Sequence, residues 1–203
     1  MREEIGVKGF DNVVLFFGQI KKVKGLDHLI RAFPNVVERH PSTVLVVAGQ
    51  AWKDDFSSYA RQVSLLGLKG NFVSRIEHIP DEDVAAYFES ADVVALPYVE
   101  VYQSGVLLMA CSYGRPVVAT AVGGMKEVIQ DGVSGYLVPP GDEERMAEAI
   151  SSLLSDKEKA EEMGRRARQM MQELYSWESA AQGTKQTYSD ALGLSAGSTP
   201  PET

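Results

Sequence analysis

Continuous apolar runs alternate with apolar positions at helical spacing along most of this chain, and Gly, Pro or a polar cluster marks each switch. Val13-Val14-Leu15-Phe16-Phe17 ends at Gly18, and Val44-Leu45-Val46-Val47-Ala48 ends at Gly49. Runs that are apolar at every position belong to strands covered on both faces. Between them Leu26, Leu29, Ile30, Phe33 and Val37 mark one helical face. A second helix is expected with Tyr59, Val63 and Leu66 inward, followed by a short strand over 71–74. Pro80 and an acidic first turn open a helix over 81–90, and a strand over 92–96 then breaks at Pro97. Ser104-Gly105 begins the next helix, in which Val106, Leu107, Met109, Ala110 and Tyr113 share a broad buried face; Gly114 and Pro116 end it. Val117-Val118-Ala119 is the fifth strand. Gly123-Gly124 turns the chain into a short helix over 125–130, residues 135–138 form a sixth strand, and residues 139–142 cap a helix over 143–154.

Strand and helix thus alternate six times with short connections. That pattern specifies an α/β fold: a Rossmann-like, doubly wound, six-stranded parallel sheet with right-handed crossovers. In such sheets ligands bind outside the carboxyl ends of the strands. Here those ends are Gly18, Gly49, Ser74-Arg75, Pro97 and Thr120. Residues 1–11 read as a lead-in, 12–155 as the sheet domain, and 156–193 as additional charged helices without a strand of their own. The Ser/Pro/Gly-rich residues 194–203 read as a disordered tail.

Composition narrows the function classes. A hydrophobic fraction of 44% and a charged fraction of 24% are those of a soluble globular protein. The formal charge of −8 argues against sequence-independent nucleic-acid binding, which needs a basic footprint, but leaves room for one focused anion site. The single cysteine, Cys111, excludes an internal disulfide and fits a reducing compartment; inside an apolar helix it reads as a small hydrophobe. No apolar run approaches a membrane span, and the first residues lack the apolar core of a signal peptide. A cytoplasmic location is expected.

The candidate chemistry lies at the strand ends. A helix start with unbonded N–H groups is an anion site, so Ser104, Gly105 and Val106 fit a phosphate; equally, Ser104 fits a plain N-cap. Lys21, Lys22 and Lys24 follow Gly18 and suit a diphosphate if they meet that helix start, or form a solvated basic loop if they do not. Glu100 reads either as a partner for sugar or ribose hydroxyls or as an exposed loop carboxylate. The loop after Gly18 lacks the GK[ST] ending of a Walker loop and the GxGxxG of dinucleotide dehydrogenases. His28, His40 and His78 have no metal-ligand spacing, His28 and His40 read as surface residues, and no GxSxG elbow is present.

The stretches FFGQIKKVKGLDHLIRAF, LVVAGQ, IPDEDVAAYFESADVVALPY, QSGVLLMACSYGRPVVATAVGGMKEVIQDGVSGYLVPPGD and YSWESAA span nearly the whole chain. In this order they resemble the C-terminal, nucleotide-sugar-binding domain of the family-4 glycosyltransferases of the GT-B fold. The resemblance implies transfer of a hexose, with retention, from a UDP- or GDP-linked sugar to a glycan or lipid-linked acceptor. It further implies a partner N-terminal domain that holds the acceptor, with no metal and no other cofactor. Through that domain the enzyme is expected at the inner face of a membrane, with the helix at Trp177 crossing back toward it. A non-catalytic nucleotide-sugar-binding or interaction module is the alternative.

Carried over by position, Lys24 resembles the lysine that contacts the donor diphosphate, and Lys21 matches the basic position of a subgroup. Gln19 stands after Gly18 where an arginine is common. Ser104, Gly105 and Val106, preceded by Gln103, resemble the helix start that cradles the distal phosphate. Arg75-Ile76 resembles the place where main-chain groups read the base. With Gly18, Gln19 and Glu100 these residues make up the expected donor site. One departure concerns the family's pair of glutamates with seven residues between them: those positions hold Val101 and Met109, and Glu100 faces Leu108 in the same spacing. The QSGV form resembles a subgroup that also lacks the pair.

Overall fold

The computed structural model describes residues 1–193, so the tail expected over 194–203 lies outside the described residues. The chain divides into two units, Met1–Arg168 and Gln169–Thr203.

In the first unit the six strands are β1 (Asn12–Phe17), β2 (Thr43–Ala48), β3 (Phe72–Arg75), β4 (Val93–Leu96), β5 (Val117–Thr120) and β6 (Tyr136–Val138). They form one parallel sheet in the order β3-β2-β1-β4-β5-β6. Order reverses between β1 and β4, and the crevice at such a reversal is where a doubly wound sheet takes its ligand. Every residue of β1, β2, β4 and β5 is buried, as their unbroken apolar runs require when helices cover both faces.

The helices between them are α1 (Leu26–Arg39), α2 (Phe56–Leu65), α3 (Asp81–Ser90), α4 (Gly105–Ser112), α5 (Met125–Val128) and α6 (Glu143–Ser155); α7 (Lys157–Leu174) follows. Leu26, Leu29, Ile30 and Phe33 of α1 enter one core cluster with β1, β2 and α6. Full burial of side chains of this size contributes roughly 1.5–3 kcal/mol each. Four details differ from the sequence expectation. Val36 joins the α1 stripe fully buried, and Val37 packs against the core only partly buried. Leu66 lies past the end of α2 and is 39% exposed. In α4 the buried positions are Leu107, Ala110 and Cys111, while Val106 and Met109 border the carboxyl-end crevice. His28 is half-buried, bonded to Glu143 and Arg31, and not a free surface residue.

Residues 1–11 run in turns, yet Ile5 and Val7 are buried and Arg2 pairs with Asp92 at 2.8 Å. Asp92 also accepts from the Val13 N–H (2.7 Å), which ties the segment to the start of β1. In α7, Gly164 allows a backbone contact that no side chain permits: a Cβ there would stand 2.0 Å from the Gly114 carbonyl oxygen. The second unit contains α8 (Trp177–Ala191). Among the described residues no helix is long and apolar enough to cross a membrane.

Candidate functional site

Three loops meet at the carboxyl ends of β1, β2 and β4, and glycines set how closely. Gly18, directly after β1, has φ 91°; a Cβ on it would lie 3.1 Å from Lys24 Nζ and 3.1 Å from Val106 Cγ2. The Lys24 ammonium and the Val106 side chain in the first turn of α4 therefore both border Gly18, where any side chain would crowd them. A Cβ at Gly25 (φ 65°) would fall 2.0 Å from the Pro97 carbonyl oxygen, so the lysine turn and the β4–α4 loop touch backbone to backbone. The Val99 N–H donates to the Val23 carbonyl (2.8 Å) and fixes their register.

Lys22–Lys24 form a single 3₁₀ turn, and from it Lys24 reaches inward while Lys22 and Val23 stay exposed. Lys24 Nζ stands 5.4 Å from the ring centroid of Tyr98, which is itself 2% exposed. Burial, aided by the charge of Lys21, lowers the Lys24 pKa from 10.5 to about 8. Burial likewise raises the Tyr98 phenol to about 12, so it keeps its proton; its hydroxyl lies 3.5 Å from Ser104 Oγ. Ser104 caps α4, accepting from the Leu107 N–H at 3.2 Å. The N-cap reading of Ser104 is thus realised, and it coexists with an open helix tip. Gly105 has nothing within 4 Å of its Cβ position, and the N–H groups of Gly105 and Val106 find no acceptor among the described residues.

Lys21 points along the rim, its Nζ 5.8 Å from the Trp52 ring centroid. Among the described residues no carboxylate comes within 4.0 Å of Lys21, Lys22, Lys24 or Lys53, although the chain as a whole is acidic. Unpaired ammonium groups facing free amide hydrogens form a strongly anion-attracting corner.

Beside this corner a cleft of about 250 Å³ is lined by Gly18, Gln19, Gly49, Gln50, His78, Asp81 and Met109 among others. The backbone closes tightly under it, since a Cβ at Gly49 (φ 140°) would meet the Gly18 carbonyl oxygen at 2.1 Å. Met109 lies in this cleft at the position where a glutamate was expected from the resemblance, which leaves a thioether in its wall. Gln103 and Glu100 are exposed on the β4–α4 loop. That loop rests on a second glycine pair, for Cβ atoms at Gly123 and Gly124 would strike the carbonyl oxygens of Val101 and Tyr102 at 1.6 and 2.5 Å. Arg75 ends β3, where its carbonyl accepts from the Gly49 N–H (2.9 Å). Its side chain leaves the cleft for a separate hollow with Glu77, Asp83 and Tyr87, and Ile76 packs against the core.

Gly18, Lys24, Ser104, Gly105 and Val106 are therefore brought together, Gln19 borders the adjoining cleft, and Lys21 sits one step outward. Arg75, Ile76, Glu100 and Gln103 surround the group without joining it. Sequence reasoning passed over Tyr98, Trp52, Gln50, His78 and Asp81. Gln50 carried the same signal as Gln19, a polar residue after a strand-ending glycine; the aromatic pair carried none.

Residues 1–170 match the family described as glycosyl transferases group 1. Spore coat protein SA of Bacillus subtilis (strain 168) is 30% identical over 198 residues, which cover 93% of this chain and 51% of that protein. The D-inositol 3-phosphate glycosyltransferase of Corynebacterium aurimucosum is 33% identical over 200 residues, 95% of this chain and 46% of that protein. Among solved structures, Anabaena Alr3699/HepE in complex with UDP superposes with a TM-score of 0.83 at 24% identity, over 93% of this chain and 51% of that one. The chain spans about half the length of the curated relatives it matches. From the sheet order, the converging loops and a family match over most of its residues, the chain belongs to the group 1 glycosyl transferases.

Proposed function

We propose that this chain is the donor-binding half of a retaining glycosyltransferase of the family-4, QSGV-containing kind, using a UDP- or GDP-linked hexose. The observation that carries the reading is the convergence of Lys24 Nζ and the first turn of α4 on Gly18. A diphosphate placed over Gly18 meets an ammonium on one side and the amide hydrogens of Gly105 and Val106 on the other. When the bond from the anomeric carbon to the distal phosphate oxygen breaks, the electron pair stays on that oxygen. The same groups then stabilise the added charge, and their interaction grows as the bond lengthens, which is what lowers a barrier. In this reading the departing phosphate oxygen accepts the acceptor hydroxyl's proton, and the new bond forms on the face the phosphate leaves. Lys21 adds its field from the rim. The nucleoside lies along the cleft toward β3, past Gln19 and the main chain at Arg75-Ile76, and the acceptor is a glycan or lipid-linked sugar held by an N-terminal half.

The names of the relatives support a glycosyl-transferring role, and the UDP in the Alr3699/HepE structure supports a nucleotide ligand. Met109 favours one competing reading, a nucleotide-sugar-binding module that does not turn over, because it removes a carboxylate for the ribose hydroxyls. Calorimetry with UDP, GDP and NAD tests the assignment. Binding of a nucleoside diphosphate but not NAD is expected, and Lys24→Ala should weaken it by about 1.5–3 kcal/mol. Unchanged affinity removes Lys24 from the site. Transfer restored by adding an N-terminal half decides for the enzyme over the module.

A further inference from the structure

Past their last strand residues β1 and β2 remain paired: the Ile20 N–H donates to Gln50 O (2.9 Å), the Trp52 N–H donates to Ile20 O (3.0 Å), and Ile20 bridges Ala51. This extension holds Lys21 and Trp52 side by side, each two residues past a glutamine that lines the cleft, Gln19 or Gln50. Trp52 is 48% exposed, and two ammonium groups flank its indole, Lys21 Nζ at 5.8 Å and Lys53 Nζ at 5.9 Å from the ring centroid. Lys53 is the one non-glycine among the described residues with a left-handed backbone (φ 53°), a conformation that disfavours a side chain and is retained here on a lysine. The next two acids do not neutralise it. Asp54 accepts from the Tyr59 hydroxyl (2.7 Å), and Asp55 accepts from the Ser57 N–H (2.9 Å) as the cap of α2.

An exposed indole edged by two cations with no carboxylate partner suits a ligand that has both an apolar ring face and a negative substituent. A bare phosphate has no use for the indole, and a neutral sugar has none for the lysines. We infer that Trp52, Lys53 and Lys21 add, from this half, a subsite for an acceptor whose sugar is anionic, a hexose carrying a phosphate or a carboxylate, completing next to the diphosphate corner the acceptor site that the N-terminal half mainly holds. The inference rests on reading that corner as the donor site, and it adds the charge class of the other substrate. The indole packs against the pyranose C–H face, and the ammonium groups bind the substituent as it projects toward solvent.

The chain has two tryptophans, so a W177F background makes its fluorescence a reporter of Trp52 alone. With UDP saturating, glucose 6-phosphate is expected to shift the emission saturably, and glucose is not. Glucuronic acid in place of the phosphate tells whether a carboxylate suffices. Lys53→Gln should weaken glucose 6-phosphate about five- to tenfold and leave UDP affinity unchanged, and Lys53→Arg should restore it. A response to glucose equal to that of glucose 6-phosphate overturns the subsite. So do displacement of glucose 6-phosphate by UDP, indifference to Lys53→Gln, or no saturable shift while UDP still binds. Failure of UDP to bind is a different result and falls on the donor reading itself.

Discussion

Lys24 offers the sharpest test, because its charge is poised between two environments. Buried beside Tyr98 and near Lys21, it titrates at about 8. A diphosphate bound over Gly18 brings opposite charge into the same corner and returns the bound-state pKa to the ordinary lysine range or above. At pH 8 about half of the free protein holds a neutral Lys24, so binding draws about half a proton from solution. The nucleotide contributes nothing to this, since a terminal phosphate with a second pKa near 6 is already ionised at pH 8. The charged fraction of free Lys24 falls from about 0.9 at pH 7 to about 0.1 at pH 9, so UDP affinity should fall about tenfold, or about 1.4 kcal/mol, over that interval. Isothermal titration at pH 8 in two buffers of different ionisation enthalpy reads the proton uptake, and a Kd series reads the slope. Lys24→Arg, which stays charged throughout, should abolish both. A flat affinity together with no proton uptake in the native chain would refute the placement of this ammonium against the diphosphate.

The same burial carries a stability cost. The native pKa is depressed relative to 10.5, so below pH 8 both folded and unfolded chains hold the proton and the fold bears the full penalty. Between pH 8 and 10.5 the unfolded chain binds more protons, and stability therefore rises with pH across that window. Lys24→Met keeps the stem and removes the charge, so urea unfolding at pH 7 should show a gain of about 1–3 kcal/mol while UDP binding weakens by about 1.5–3 kcal/mol. Gly25→Ala should have the opposite sign, a loss of about 2–4 kcal/mol, because its Cβ meets the Pro97 oxygen at 2.0 Å in a left-handed conformation; the same unfolding assay reads it. Tyr98→Phe should cost less than about 1 kcal/mol, since the hydroxyl has a single 3.5 Å neighbour, whereas Tyr98→Ala should cost about 3–5 kcal/mol and release Lys24 toward its ordinary pKa.

The strands and their order of appearance were readable from the chain because burial on both faces forces an unbroken apolar run, and such runs are visible without any tertiary information. Where two adjacent residues are both apolar, as at Val36-Val37, a stripe has no unique phase; packing buries Val36 fully and Val37 partly. Helix α4 is apolar on nearly every side, so its periodicity could not separate Leu107, which enters the core, from Met109, which borders the cleft. The site shows the same asymmetry. Gly18, Gly49, Gly123 and Gly124 stood out as glycines at strand or loop ends, and each proves to be a place of close approach, by two side chains at Gly18 and by another stretch of backbone at the others, as also at Gly25. A glycine announces that something comes close but carries no information about what does. The partners, Lys24 and Val106 for Gly18, Pro97 for Gly25 and Val101 for Gly123, are fixed only when the β1–β4 reversal brings separate loops to one edge. Tyr98 and Trp52 lie wholly on the unreadable side of that division. Their importance is a matter of which ammonium stands over which ring, and no local pattern encodes a distance across the sheet. Residue types that can serve the site are therefore written in the sequence, whereas the pairing that turns a lysine with an ordinary pKa into one that titrates near 8 belongs to the fold.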